Sequence, residues 1–116
     1  MRYLLSIYSD EKADKNQTPE QQQASYGEWM AYTEAMKKAG VWIAGDALQP
    51  TNTGTKVQVR SGKSSVVDGP FTETKEVLGG YYLMEVKSKE EAVEWAKRCP
   101  GAQNGTIEVR PIWEFG

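Results

Sequence analysis

Histidine is absent from the 116 residues, and cysteine occurs once, as Cys99. The first absence removes Ser-His-Asp and Cys-His catalysis and every histidine-based metal site. A single thiol closes no intrachain disulfide and builds no zinc site by itself, so no metal is expected. An unpaired thiol fits a reducing compartment, and the expected location is cytoplasmic. No apolar run approaches the roughly 20 residues that span a bilayer, and no charged-then-apolar leader precedes the first strand. Basic runs are missing too, and the net charge is −2. Electrostatic capture of nucleic-acid phosphates therefore has no support. Any acid–base chemistry at neutral pH falls to Asp, Glu, Lys, Tyr or Cys with shifted pKa values. Nothing indicates haem, flavin or nucleotide, so no cofactor is expected.

What is present reads as one domain, residues 1–116, long enough to bury a core without disulfides or metal. Arg2 to Tyr8 alternates as a strand around Tyr3, Leu5 and Ile7. Asp10 to Gln17 is polar and aperiodic and reads as a loop. Thr18-Pro19-Glu20-Gln21 has the form of a capping box with Pro at the first helical position. The helix it opens runs to about Ala39 and stops at Gly40, with Trp29, Tyr32, Met36 and Ala39 on one stripe. Val41 to Asp46 is a short strand, and Gln49 to Thr55 an irregular loop. Lys56–Arg60 and Ser64–Val67, joined through Ser61-Gly62-Lys63, form a hairpin. Gly80 to Val86 is an aromatic and apolar strand. Ser88 caps a second helix whose apolar side is Ala92, Val93, Trp95 and Ala96, and Thr106 to Phe115 is the last strand.

Without the hairpin the order is β-α-β-β-α-β, the ferredoxin-like split βαβ arrangement. The fold class is therefore α+β: two helices on one face of an antiparallel sheet, with an inserted β-hairpin. The other face is expected to carry Leu4, Tyr82, Met84 and Ile112, too apolar to leave in water. That predicts a homodimer with sheets packed face to face.

The densest signal is Asp68-Gly69-Pro70-Phe71-Thr72-Glu73-Thr74-Lys75-Glu76, followed by Leu78-Gly79-Gly80-Tyr81-Tyr82. Asp-Gly-Pro is turn chemistry, but four ionisable side chains crowd the same segment. This string resembles the signature of the DGPF branch of the YCII-related family. Tyr3-Leu4-Leu5, Gly45-Asp46-Ala47-Leu48-Gln49-Pro50, Trp95 to Pro100 and Ile107 to Ile112 extend the resemblance along the chain. The resemblance implies a dimeric α+β barrel, with a pocket in each protomer between sheet, first helix and loops. Some relatives are similar to enzymes that rearrange or dehalogenate ring-derived lactones and hydroquinones, where a His and an Asp are the suspected acid and base. This chain has no His for that role. The branch is also associated with extracytoplasmic-function sigma factors, which implies a possible protein partner in transcription regulation.

Asp68 has two readings. Its carboxylate either accepts the N–H of Phe71 in an Asx-turn, or acts as general acid or base, raised by burial beside Phe71. Glu73 is the second catalytic candidate, facing a pocket with Lys75 as neutralising partner, against the plain reading of a solvated charged loop. Arg110 and Glu108, two residues apart on one strand face, either join a cross-strand salt bridge (Arg60 to the glutamate, or Glu85 to the arginine), or Arg110 binds a substrate carboxylate in bidentate fashion. Tyr26, Phe71 and Tyr82 complete the binding candidates. Trp42, Tyr82 and Trp113 are candidates for the sheet or dimer surface. Gly79-Gly80 either admits a ligand close to the backbone or permits a bulge.

The first functional reading is an uncharacterised small dimeric protein that binds a small anionic or cyclic metabolite beside the signature loop. It includes cofactor-free isomerisation, elimination or hydrolysis. The alternative is a non-catalytic regulatory or interaction module of a sigma-factor system. A third reading makes the signature a folding device only.

Overall fold

Alternating burial along the first strand organises the molecule. The computed structural model describes residues 1–70 and 75–115. β1 (Arg2–Ser9) sends Tyr3, Leu5 and Ile7 into the core. It is followed by α1 (Glu11–Lys15), α2 (Pro19–Lys38), β2 (Trp42–Ala47), β3 (Thr55–Arg60), β4 (Lys63–Asp68), β5 (Val77–Glu85), α3 (Lys89–Arg98) and β6 (Thr106–Pro111). The main sheet is antiparallel in the order β2-β5-β1-β6, and β3-β4 forms a separate two-stranded ribbon. This is the expected ferredoxin-like α+β arrangement with an inserted hairpin.

Local chemistry sets the element ends. Thr18 accepts from the Gln21 N–H at 3.1 Å and the Gln21 side chain accepts from the Thr18 N–H at 2.9 Å, completing the capping box that starts α2. Ser88 caps α3 through the Glu91 N–H. Asp10 to Gln17 differs from the expected loop. Asp10 accepts from the N–H groups of Lys12 and Ala13, and this cap nucleates the short α1. β5 begins three residues earlier than expected, because Val77 and Leu78 pair with Ser9 and Tyr8. β6 ends at Pro111 rather than Phe115. Pro111 already lies opposite Tyr3, and the Ile112 N–H reaches Arg2, so β1 has little chain left to pair with.

α2 and α3 cover one sheet face. Tyr32 and Met36 of α2 pack with Tyr82, Met84, Ala92, Trp95 and Cys99. The Tyr32 hydroxyl donates to the Trp95 carbonyl at 2.8 Å, so its polar atom is satisfied inside the core. Tyr82 and Met84 therefore lie on the helix side, not on the open face where the sequence pattern placed them. Leu4 broke the alternation of β1 and obscured which residues of β5 share its side. Register settles it: Leu4 opposes Leu83, and Ser6 opposes Tyr81. The open face carries Leu4, Ser6, Tyr8, Tyr81 and Leu83 among Arg2, Asp46, Glu85, Glu108 and Arg110. It is more polar than expected. Trp42 lies opposite Met84, with the Lys37 ammonium 4.7 Å from its ring.

The ribbon turns through Ser61 and Gly62, both at positive φ, which gives a two-residue connection whose twist suits a hairpin. Every residue of β3 and β4 is exposed, so the ribbon does not fold back over the open face. The radius of gyration of the chain, 16.2 Å, exceeds the roughly 13 Å of a compact domain of this length.

Cys99 ends α3 in the core, and burial pushes its thiol up to about 11 from 9.0. Burial also raises the hydroxyls of Tyr32 and Tyr82. The unfolded chain releases these protons at lower pH than the folded chain, so stability is full below the unfolded pKa and falls as pH rises. Thermal unfolding is expected to show Tm declining from about pH 9 to about pH 11. The loss assigned to Cys99 is roughly 2 kcal/mol. In Cys99→Ala the decline should begin later, at the tyrosines; an unchanged onset would contradict the assignment.

Candidate functional site

Concavity occurs where β1 ends and β5 begins. A cleft of about 340 Å³ is lined there by Ser9, Glu11, Asp14, Lys15 and Gln22 on one side. Leu48, Gln49, Pro50, Val77, Leu78 and Gly79 line the other. The volume suits one small molecule. A bulge builds the floor: Ile7 opposes Gly80 and Tyr8 opposes Leu78, leaving Gly79 as the extra residue. The sequence left Gly79-Gly80 open between ligand approach and bulge. The bulge is present, and Gly79 also lines the cleft.

The polar wall comes from α1. The Ser9 hydroxyl donates to Asp14 Oδ2 at 2.9 Å. The Thr51 N–H donates to both Glu11 carboxylate oxygens, at 3.3 and 3.2 Å, tying α1 to the segment after β2. The Leu48 N–H donates to the Gly79 carbonyl at 2.8 Å, fixing the opposite wall on β5. Two carboxylates and one ammonium thus stand over an apolar side of Leu48, Pro50, Val77 and Leu78. Among the described residues no group of three or more Cys, Asp or Glu side chains is placed to hold a metal ion. No helix there is long and apolar enough to cross a membrane.

The sequence-predicted residues do not converge on this cleft. Asp68 is exposed at the end of β4, and its Oδ1 accepts from the Thr55 hydroxyl at 2.8 Å across the base of the ribbon. Arg110 is exposed on the open face, 2.6 Å from Glu108. That pairing raises the guanidinium's pKa, chiefly through the hydrogen bond to Glu108. Arg110 lies opposite Leu4, five positions along β1 from Ser9, or roughly 16 Å. Tyr82 is buried under α2, its hydroxyl 2.7 Å from that of Thr33. Tyr26 is exposed one turn beyond Gln22 and does not line the cleft. Lys75 is exposed just before β5, and its neighbour Glu76 accepts from the Thr106 hydroxyl. Phe71 and Glu73 lie outside the described residues. The signature does lead directly into the cleft through Val77.

Ser9, Glu11, Asp14 and Lys15 were missed because their segment has no apolar period. The available signal was Asp10 as N-cap, with acid in the first turn and lysine in the last.

Comparison with known proteins places this geometry. The model of the YCII-related domain family matches residues 1–116. An uncharacterised protein of Rhizobium meliloti (strain 1021) is 32% identical over 114 residues, covering 97% of this chain and 92% of its own. Among solved structures, the chain resembles 5-chloro-2-hydroxyhydroquinone dehydrochlorinase (TftG) from Burkholderia phenoliruptrix AC1100, in complex with 2,5-dihydroxybenzoquinone. The TM-score is 0.50 at 19% identity, covering 100% of this chain and 96% of the other. At that identity the likeness is one of fold.

The two glycines of the bulge separate folding from cleft shape. A Cβ on Gly80 would stand 2.9 Å from the Asp46 carbonyl oxygen. Gly80→Ala is therefore expected to cost about 1–3 kcal/mol. A Cβ on Gly79 meets nothing nearer than Ser9 Oγ at 3.7 Å, so Gly79→Ala should leave Tm nearly unchanged while narrowing the cleft. Thermal unfolding of the two variants checks this, and equal losses would contradict the bulge geometry.

Proposed function

Since the chain belongs to the YCII-related domain family, we propose that the cleft at the bulge binds a small hydroxylated ring compound and performs acid–base chemistry on it without a cofactor. The observation that carries this reading is the Asp14–Ser9 pair at the mouth of a half-apolar cleft. Among the described residues Ser9 alone engages the Asp14 carboxylate, leaving Oδ1 to accept a proton from a ligand hydroxyl. The Lys15 ammonium stabilises the oxyanion that develops, and Glu11 holds α1 in place. Isomerisation or elimination on the ring then follows from ordinary general-base catalysis. Two carboxylates against one ammonium disfavour a multiply charged anion. A neutral or singly ionised ring suits the site better than the small carboxylate that Arg110 would have anchored.

The fold neighbour's complex with 2,5-dihydroxybenzoquinone supports the same ligand class. The reading includes a homodimer in which open sheet faces meet. Leu4, Tyr8, Tyr81 and Leu83 keep part of their surface exposed within one chain, which supports a second copy against them.

Asp14→Asn distinguishes this reading from one centred on the signature turn. Titration with 2,5-dihydroxybenzoquinone and related hydroxylated rings, read by calorimetry, is expected to show binding to the parent protein. Affinity should fall at least tenfold in Asp14→Asn and stay within twofold in Asp68→Asn. Loss in Asp68→Asn alone would return the chemistry to the signature. No binding by the parent protein to any of these rings would refute the ligand class.

A further inference from the structure

Among the described residues, two apolar patches are left uncovered by the rest of the chain. The first is one face of the β3-β4 ribbon. Val57 opposes Val66, with Val59 two residues along on the same side, and these three are 63, 65 and 60% exposed. The second is the C-terminal corner. Trp113 and Phe115 stack with ring centroids 5.5 Å apart and are 80 and 85% exposed. A two-stranded ribbon alone is marginal in water, and exposed aromatic pairs of this size mark contact surfaces.

The patches lie at opposite corners of the sheet. The ribbon leaves from the end where the edge strand β2 finishes and β5 begins. Trp113 follows the edge strand β6 at the other end, past Tyr3 and Arg2. The molecule measures 47 × 46 × 18 Å. One chain cannot bring its own two corners together, but a two-fold axis within the plane of a slab can lay each corner of one copy over the opposite corner of another.

The accessible surface carries the argument further. It is 8521 Å², against roughly 6,300 Å² for a compact monomer of 13.0 kDa. The excess of roughly 2,200 Å² per chain falls within what obligate homodimers bury. Charge agrees in sign: the ribbon carries Lys56, Arg60 and Lys63 against Asp68, whereas the open face and its C-terminal end carry Asp46, Glu85, Glu108 and Glu114 against Arg2 and Arg110.

We infer that the occupant of both patches is a second copy of this chain: the valine face of each ribbon packs on the Trp113–Phe115 pair of the partner. The contact occurs twice, and the ribbon is an exchanged arm that clamps the pair. This deepens the homodimer reading above and rests on it. It also gives the hairpin a purpose that its own chain does not supply.

Cysteine pairing tests the contact. Val57→Cys and Trp113→Cys proteins, carrying different affinity tags, are co-expressed, purified and oxidised. A disulfide joining the two differently tagged chains is expected, with no such product when both chains carry Val57→Cys. Sedimentation equilibrium runs beside it: Val57→Lys/Val66→Lys should weaken the dimer at least tenfold with an unchanged far-ultraviolet spectrum. A parent dimer that forms no mixed disulfide and is indifferent to the lysines overturns the arm contact while the homodimer stands. A parent protein that is monomeric at every concentration overturns both and assigns the patches to a different partner.

Discussion

Everything in this molecule depends on β1 being paired along both edges. It bonds β5 on one side and β6 on the other, and its alternate residues Tyr3, Leu5 and Ile7 form the sheet side of the core. The last residues of the same strand do different work. After Ile7 the pairing with β5 slips by one residue at Gly79 and continues through Tyr8–Leu78 and Ser9–Val77, beside which the cleft opens. Core and candidate site are thus consecutive stretches of one strand, separated by a bulge. The cleft lies at the end of the sheet because the middle is filled by side chains and closed by α2 and α3.

The charged groups fall into two kinds by what holds them. Arg110–Glu108 and Arg2–Glu114 are exposed pairs on or beside the open face, and pairs of this kind contribute little to stability in water. Asp14 and Glu11 are held differently, each by a hydrogen bond from a separate part of the chain. That arrangement orients both carboxylates toward a shared space without burying them. A neutral thiol or phenol in the core has the opposite environment. Cys99 and Tyr32 lose acidity by desolvation, which removes them as nucleophiles.

The ribbon and the cleft are linked along the chain. The ribbon begins only a few residues after Leu48-Gln49-Pro50, which form one wall of the cleft, and returns through the signature to Val77, which forms its floor. Thr55 and Asp68 clasp its base. Whatever holds the ribbon also constrains the lining residues on either side of it in the chain. The carboxylate of the signature's first residue thus acts on the base of the ribbon rather than on the cleft.

Much of the fold was legible in the residues themselves. Thr18-Pro19-x-Gln21 and Ser88-x-x-Glu91 start helices because their side chains satisfy N–H groups of their own first turn, an interaction complete within four residues. Ser61-Gly62 turns a hairpin for the same local reason. The collinear motifs also sufficed for the family. Tertiary structure alone decided which face of β5 meets the helices, because the strand carries apolar residues on both faces and only its register against β1 sets Tyr82 and Met84 beside Leu5 and Tyr3. It also decided the site. Asp68, Arg110 and Tyr82 drew attention by residue type, yet register set Ser9 beside Val77 at the cleft, with Asp14 and Lys15 following on α1, while those three stand elsewhere. Local hydrogen bonds are written in neighbouring letters; a cleft between strand ends is made by residues that meet only once the strands have paired.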